Sequence, residues 1–82
     1  MIMNNVISIF KTLELIKSTP YFKCSFIKKD KSLRHMICSF EENQNNSNSI
    51  VLVWDLEKDN YRNVNLNTLQ TITIKNKLYT VV

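Results

Sequence analysis

Two adjacent stretches with strand-like residue patterns constrain the fold of this chain more than any other feature. The first runs Ile-Val-Leu-Val-Trp-Asp-Leu-Glu from residue 50, and the second runs Tyr-Arg-Asn-Val-Asn-Leu from residue 61. The intervening Lys58-Asp59-Asn60 has the length of a hairpin loop, and Asp and Asn tolerate the left-handed backbone conformation that such loops need. Residues 50–66 are therefore predicted to form a β-hairpin in which Trp54 faces Tyr61.

Period-2 alternation assigns the side chains of this hairpin to two faces. The wholly apolar face of the first strand, which we expect to point into the core, consists of Ile50, Leu52, Trp54 and Leu56. The opposite face, which we expect to point to solvent, consists of Val51, Val53, Asp55 and Glu57. On the returning strand, Val64 and Leu66 are predicted to point inward, and Asn63 and Asn65 outward.

A helical pattern comes first in the chain. From Asn4 or Asn5 to Ser18, apolar residues recur at three- and four-residue steps, which predicts a helix with one buried stripe. The stripe consists of Val6, Ile9, Phe10, Leu13 and Ile16. An Asn cap would begin the helix, and Pro20 would prevent its continuation. The helix would either cover one open end of a small β-barrel or be presented to a partner.

An earlier hairpin is predicted from residues 21–28 and 33–40. Its expected inward side chains are Phe22, Cys24, Phe26, Met36, Cys38 and Phe40. Residues 41–49 follow as a polar segment, and we expect a flexible loop there because the segment has no apolar side chain to bury.

The last elements are short. Asn67-Thr68-Leu69 indicates one helical turn, residues 70–75 a strand, and Asn76-Lys77 a turn into residues 78–82, an expected edge strand. The chain has no glycine, so its turns depend on Asn, Asp, Ser and Lys. With 82 residues there is room for a single domain. Residues 1–19 would form its N-terminal helix, and residues 20–82 its β-structure.

The two hairpins carry a resemblance to a known family. Trp-Asp-Leu-Glu-Lys followed by Tyr-Arg-x-Val-x-Leu-x-Thr-Leu is similar to small phage-borne proteins described as WYL-like or Sm-like, and residues 26–38 resemble the first hairpin of that family. The resemblance covers roughly residues 21–75. It implies a mainly β fold, a small SH3-like β-barrel of five or six antiparallel strands with an N-terminal α-helix. Thr68 stands where larger WYL regulators carry arginine, so we expect no small-molecule substrate.

The residues offer no catalytic constellation. Without glycine there is no phosphate-binding loop and no nucleophile elbow. Asp55 and Glu57 would lie side by side on the outer face, where charge pairing with Lys58 and Arg62 is a better interpretation than paired catalytic carboxylates. His35 is predicted at the surface without an acid and a nucleophile around it. We expect neither an enzyme nor a cofactor.

Cysteine use and hydropathy indicate the cellular compartment. Cys24 and Cys38 share the first hairpin and could form a disulfide, but a chain without a secretory signal favours two reduced cysteines in the core. A zinc site needs more ligands than these residues and one histidine supply. No apolar stretch approaches the roughly 20 residues of a membrane span. We expect no metal and no membrane, and a cytoplasmic location in the host cell, with the virion as the alternative.

Positive charge is concentrated in the first half of the chain. Residues 1–40 contain seven Lys or Arg and two acidic residues, whereas residues 41–82 contain four and five. The cations on and around the first hairpin are Lys23, Lys28, Lys29, Lys31 and Arg34. With Tyr21 available to stack on a base, these residues are the predicted nucleic-acid-binding site. The alternative is a solvated turn whose lysines keep the protein soluble.

Two classes of function fit these features. The first is a non-catalytic phage accessory binding module that acts through nucleic acid or the transcription apparatus. The second is a virion or assembly component, or a module that binds a host factor, with a protein partner and no nucleic-acid contact. For the second class, the strand at residues 78–82 would offer an edge for pairing with another chain.

Overall fold

The protein folds mainly as one β-sheet, as a computed structural model shows for residues 5–41 and 49–82. The strands, in chain order, are β1 (Asn5–Ile7), β2 (Phe22–Ile27), β3 (Leu33–Phe40), β4 (Ile50–Asp55), β5 (Asn60–Asn65), β6 (Leu69–Ile74) and β7 (Lys77–Val81). Helix α1 (Ile9–Lys17) follows β1, and a 3₁₀ turn (Leu66–Thr68) joins β5 to β6. In this part of the chain, no helix has the length and apolar character that crossing a membrane requires.

The strands are hydrogen-bonded in the order β1-β7-β6-β2-β3-β4-β5. Neighbours are antiparallel except β1 and β7, which are parallel. The described sheet has seven strands rather than the expected five or six, because β1 adds a strand that the sequence pattern did not predict. No described ladder joins β1 to β5, so these two strands are the edges of the sheet.

The N-terminal helix is shorter than predicted. Ser8 caps α1, since its side-chain oxygen accepts a hydrogen bond from the backbone N–H of Lys11 at 3.1 Å. Thr12 adds two bonds to the Ser8 carbonyl, one from its backbone N–H and one from its hydroxyl, each 2.9 Å long. The predicted Asn cap is therefore wrong, because Ser8 satisfies the donors of the first turn. Asn5–Ile7 is extended and pairs with β7.

The buried side of α1 differs from the predicted stripe. Ile16 and Thr12 are buried, and Ile9 and Leu13 are partly buried against the core. Counted from Ile9, these positions have the spacing i, i+3, i+4 and i+7. Two residues of the predicted stripe lie elsewhere: Val6 belongs to β1, and the side chain of Phe10 is 79% exposed.

The first hairpin is confirmed. β2 and β3 pair from Phe22 opposite Cys38 to Ile27 opposite Leu33. All the side chains that we expected to point inward are buried or partly buried in the core: Phe22, Cys24, Phe26, Met36, Cys38 and Phe40. β2 also pairs with β6 on its other side, with a break in register between Ser25 and Phe26. The hairpin is thus central to the sheet.

The second hairpin is confirmed as a hairpin, but the faces of β4 are the reverse of the prediction. β4 and β5 pair with Trp54 opposite Tyr61, and Asp59 in the connecting turn has φ 52°. Of the residues expected to face solvent, Val51, Val53 and Asp55 are buried. Glu57, which lies beyond the end of β4, is exposed as predicted. The residues expected in the core, Ile50, Leu52, Trp54 and Leu56, are exposed or only partly buried.

Cross-strand pairing explains this reversal. Residues directly opposite each other in an antiparallel ladder point to the same face, and Val51 is opposite Val64. Val64 is buried, as expected, so Val51 is buried with it and the Trp54–Tyr61 pair lies on the other face. Apolar content did not distinguish the two faces of β4, because Val51 and Val53 are apolar as well.

The C-terminal elements agree with the prediction to within a few residues, but not in their place in the sheet. The 3₁₀ turn and β6 lie where expected, and the turn before β7 is formed by Lys75 (φ 51°) and Asn76 (φ 66°). β7 is not an edge strand, because β1 pairs with its outer side. Of the segment predicted to be a flexible loop, residues 42–48 lie outside the described residues.

Candidate functional site

A buried carboxylate ends strand β4. The side chain of Asp55 is 1% exposed. Its Oδ1 accepts hydrogen bonds from the backbone N–H groups of Glu57, at 3.0 Å, and Lys58, at 3.1 Å. These two bonds attach the beginning of the β4–β5 loop to the end of β4. The predicted position of Asp55 on the solvent face is therefore wrong.

Two arginines share the other oxygen of this carboxylate. Arg62 Nε, on β5, lies 3.0 Å from Asp55 Oδ2, and Arg34 Nη2, on β3, lies 3.3 Å from the same atom. The arginine side chains are half-buried, with 35% and 23% of their surface exposed. The cluster of Asp55, Arg34 and Arg62 links three neighbouring strands, and we call it the ion cluster.

The ion cluster keeps Asp55 ionised at neutral pH. Burial alone raises the pKa of Asp55, because it removes water from the charged form. The backbone hydrogen bonds from Lys58 and Glu57 lower this pKa, and so do the hydrogen bond and the charge of Arg62. These contributions outweigh burial, so the pKa of Asp55 lies below its ordinary value of 3.8.

The two arginines also line a groove between the first hairpin and β5, with a volume of about 510 Å³. Lys28 and Lys29 line the same groove, and Asp30 is its one acidic lining residue among those described. The remaining lining is apolar or carries hydroxyl and amide groups: Phe26, Ile27, Val64, Asn63, Asn65 and Thr68. We call this depression the basic groove.

The turn beside the basic groove is held by Asp30. The Asp30 carboxylate accepts hydrogen bonds from the hydroxyl of Ser32, at 2.5 Å, and from its backbone N–H, at 3.0 Å. These bonds are the main reason why the pKa of Asp30 lies below its ordinary value. The ion pair of Asp30 with Lys28 is long, at 4.0 Å, and exposed, so it neutralises little of the groove's charge.

The six predicted nucleic-acid-binding residues do not lie together. Lys28, Lys29 and Arg34 line the basic groove. Lys31 is exposed in the turn with φ 73°, outside the groove lining. Tyr21 and Lys23 line a separate depression of about 250 Å³. The sequence predicts Arg34 to be a free surface cation, and this is wrong, because Arg34 bonds Asp55.

Comparisons with protein families, with curated proteins and with solved structures give no match for this chain. The geometry and charge of the described residues are therefore the main basis for assigning a function.

Arg62 is the cation of the basic groove that is not among the predicted nucleic-acid-binding residues. We expected it to pair with acidic side chains on the outer surface, and its partner Asp55 is instead buried. A signal was present in the sequence, because Arg62 is two residues before Val64 and alternation places both side chains on one face. With Val64 expected inward, Arg62 belonged to the inner side of β5.

The cysteines are buried and free, in accord with the expected reduced pair. The hydrogen bond with Cys24 raises the pKa of the Cys38 thiol, and burial and the nearby Asp55 charge raise it further. A protonated thiol is a poor nucleophile and a poor metal ligand. Within the described ranges, no three His, Cys, Asp or Glu side chains group so that they could hold a metal ion.

The outer face of the β4–β5 hairpin carries an apolar patch. Trp54 and Tyr61 pack edge to face, with ring centroids 4.8 Å apart and planes at 80°. Tyr61, Ile50 and Leu56 are exposed. This outer patch is on the opposite side of the hairpin from the ion cluster, because the Trp54–Tyr61 pair alternates with the buried positions of β4.

Proposed function

We propose that this protein is a non-catalytic binding module whose basic groove takes a single strand of nucleic acid. The observation that carries the proposal is the convergence of four cationic side chains on one groove: Lys28, Lys29, Arg34 and Arg62. Contacts between cationic side chains and phosphates supply most of the sequence-independent affinity for nucleic acid. Three of these cations come from the first hairpin, where the sequence concentrates positive charge.

The size and lining of the groove favour a single strand over a duplex. A volume of about 510 Å³ accommodates a nucleotide or two, whereas a duplex would touch only the rim. Phe26 provides an aromatic ring and Asn63 an exposed amide, and such groups stack on bases or hydrogen-bond to their edges. Lysines at the rim would follow the backbone of the strand.

We extend the proposal to the fold and the biological setting. Phe26 of β2 and Val64 of β5 line one groove, although β3 and β4 separate their strands in the sheet. Such proximity requires a strongly curled sheet, which supports an SH3-like barrel. The 3₁₀ turn between β5 and β6 is also typical of that fold. Together with the resemblance to small phage WYL-like or Sm-like proteins, these features of the sheet favour a phage accessory protein. Such a protein would act on nucleic acid or the transcription apparatus in the host cytoplasm.

The outer patch favours a second candidate function. Exposed apolar side chains around the Trp54–Tyr61 pair are typical of protein-interaction surfaces. A virion or assembly component, or a module that binds a host factor, would use this face and leave the basic groove without a nucleic acid.

Fluorescence anisotropy with labelled oligonucleotides tests the first proposal. A single strand should bind more tightly than a duplex of the same sequence. Its log affinity should fall with log salt by about 0.7 for each phosphate contacted. The variant Lys28→Ala/Lys29→Ala should bind more weakly with a shallower salt slope. A matched control, Lys11→Ala/Lys17→Ala, removes two exposed charges on α1 and should change much less.

Two results would overturn the proposal. One is an absence of binding by the parent protein at low salt. The other is an equal salt slope for the parent and the Lys28→Ala/Lys29→Ala variant, because charges that contact phosphates must appear in that slope.

A further inference from the structure

We infer that Asp55 is a positioning residue that holds Arg34 and Arg62 together as a clamp for one phosphate group of the bound strand. The inference rests on the proposed function and assigns the recognition chemistry within the basic groove. It concerns one phosphodiester group, and it gives the buried carboxylate a role that requires no contact with the ligand.

The geometry begins with a shared atom. Arg34 Nη2 and Arg62 Nε both bond Asp55 Oδ2, at 3.3 and 3.0 Å. Two guanidinium groups that approach one oxygen are close neighbours, although their like charges repel each other. The carboxylate offsets this repulsion, and its own position is fixed because Oδ1 bonds the backbone of Glu57 and Lys58.

The two arginines have donors left for a ligand. A guanidinium carries five N–H groups in a planar fork. Toward other described residues, Arg62 bonds through Nε and not through its Nη groups, and Arg34 bonds through Nη2 alone. Both side chains are partly exposed and both line the basic groove. Guanidinium forks match the geometry of phosphate oxygens, and two forks side by side can bond a single phosphate group.

The charges of the ion cluster also indicate a ligand. One arginine is sufficient to neutralise Asp55, so the second leaves the cluster with a net positive charge. Lys28 and Lys29 line the same groove and add to it. Asp55 itself, at 1% exposure, is covered by its partners and does not face a ligand. An anion in the groove would complete the pairing of the second guanidinium.

The substitution Asp55→Asn distinguishes positioning from simple charge, because the two predict opposite signs. The substitution removes a negative charge beside the groove, so charge alone predicts tighter binding of a single-stranded oligonucleotide. Positioning predicts weaker binding by about tenfold, since the forks lose their shared anchor. Affinities are compared at neutral pH under conditions where circular dichroism shows both proteins folded. Equal or tighter binding by folded Asp55→Asn overturns the clamp.

A second variant keeps every charge of the basic groove and tests the phosphate clamp even if Asp55→Asn does not fold. Arg34→Lys/Arg62→Lys replaces both forks by point charges, and we expect about tenfold weaker binding. The matched control Lys11→Arg/Lys17→Arg, on α1, should leave the affinity within about twofold. Parent-like affinity of the folded arginine-to-lysine variant overturns the clamp while the proposed function stands. Absence of oligonucleotide binding by the parent overturns both.

The phosphate is identified by oligonucleotides that carry one neutral methylphosphonate at successive positions. The parent protein should lose affinity most strongly at one position, and Arg34→Lys/Arg62→Lys should lose much less there. An equal loss in both proteins overturns the assignment of that phosphate to the arginines. A poly-glutamate peptide is the last probe: if the parent binds it and no oligonucleotide, the groove is a carboxylate site and the phosphate clamp is wrong.

Discussion

Removal of the Asp55 carboxylate should be among the most destabilising single substitutions in this protein. Asp55→Ala breaks two backbone hydrogen bonds and two charge-assisted bonds to arginine. Breaking a fully buried ion pair costs about 3–5 kcal/mol. Here the arginines keep 23% and 35% of their surface in solvent and can regain water, so we expect the lower end, about 3 kcal/mol. That is a large fraction of the roughly 5–15 kcal/mol that stabilises a typical domain.

Urea unfolding followed by the fluorescence of Trp54, the only tryptophan, measures this loss. With a slope of about 1 kcal/mol/M for a small protein, the midpoint should fall by about 3 M. Arg34→Ala alone should cost less, because Asp55 keeps Arg62 and both backbone donors. A loss below about 1 kcal/mol for Asp55→Ala would show that the ion cluster is no more stabilising than an exposed pair.

The pH dependence of the free energy of unfolding is an independent test of the stabilisation by the Asp55 carboxylate. The pKa of Asp55 is lower in the folded protein than its ordinary 3.8, so the folded state binds this proton less readily than the unfolded state. The stabilisation is therefore fully present above about pH 5 and is lost as pH falls through the folded-state pKa. Asp55→Asn should have a shallower loss of stability between pH 5 and pH 2. Asp30→Asn is the matched control, since the pKa of Asp30 is also lowered but its carboxylate is exposed.

Three further substitutions and one labelling reaction test the packing of the described residues. Trp54→Ala should cost about 1–2 kcal/mol, less than the roughly 3–5 kcal/mol of a core aromatic, whereas Ile72→Ala, at 0% exposure, should cost about 3–4 kcal/mol. Both losses are measured by urea unfolding followed by circular dichroism, because Trp54→Ala removes the fluorophore. Equal losses would mean that the faces of β4 are assigned wrongly. Phe10→Ala should change the free energy of unfolding by less than about 0.5 kcal/mol. A loss of about 2 kcal/mol would show that Phe10 is packed in the core. Cys24 and Cys38 should resist a thiol reagent at pH 8 until urea unfolds the protein, because both are buried and the pKa of Cys38 is raised; rapid labelling of the native protein would contradict this.

The sequence by itself determined the local elements. Both hairpins follow from alternating strands joined by Asp- and Asn-containing turns, and these signals act over a few residues. The pairing of Trp54 with Tyr61 follows from the length of the loop between them, since loop length sets hairpin register. The inward side of the first hairpin was equally clear, because its other side carries Lys23 and His35.

Interactions between different strands decided three other features: the structure of residues 5–7, the buried face of β4 and the basic groove. Residues 5–7 continue a helical pattern, yet they form β1 because β7, more than 70 residues later, offers a strand to pair with. Both faces of β4 are apolar enough to be buried. The buried face is the one that pairs with Val64, and it includes Asp55. Arg34 and Arg62, from two other strands, supply the charge and the hydrogen bonds that make burial of this carboxylate tolerable. The basic groove is a consequence of the same choice, since it depends on arginines that meet only when β3, β4 and β5 lie side by side.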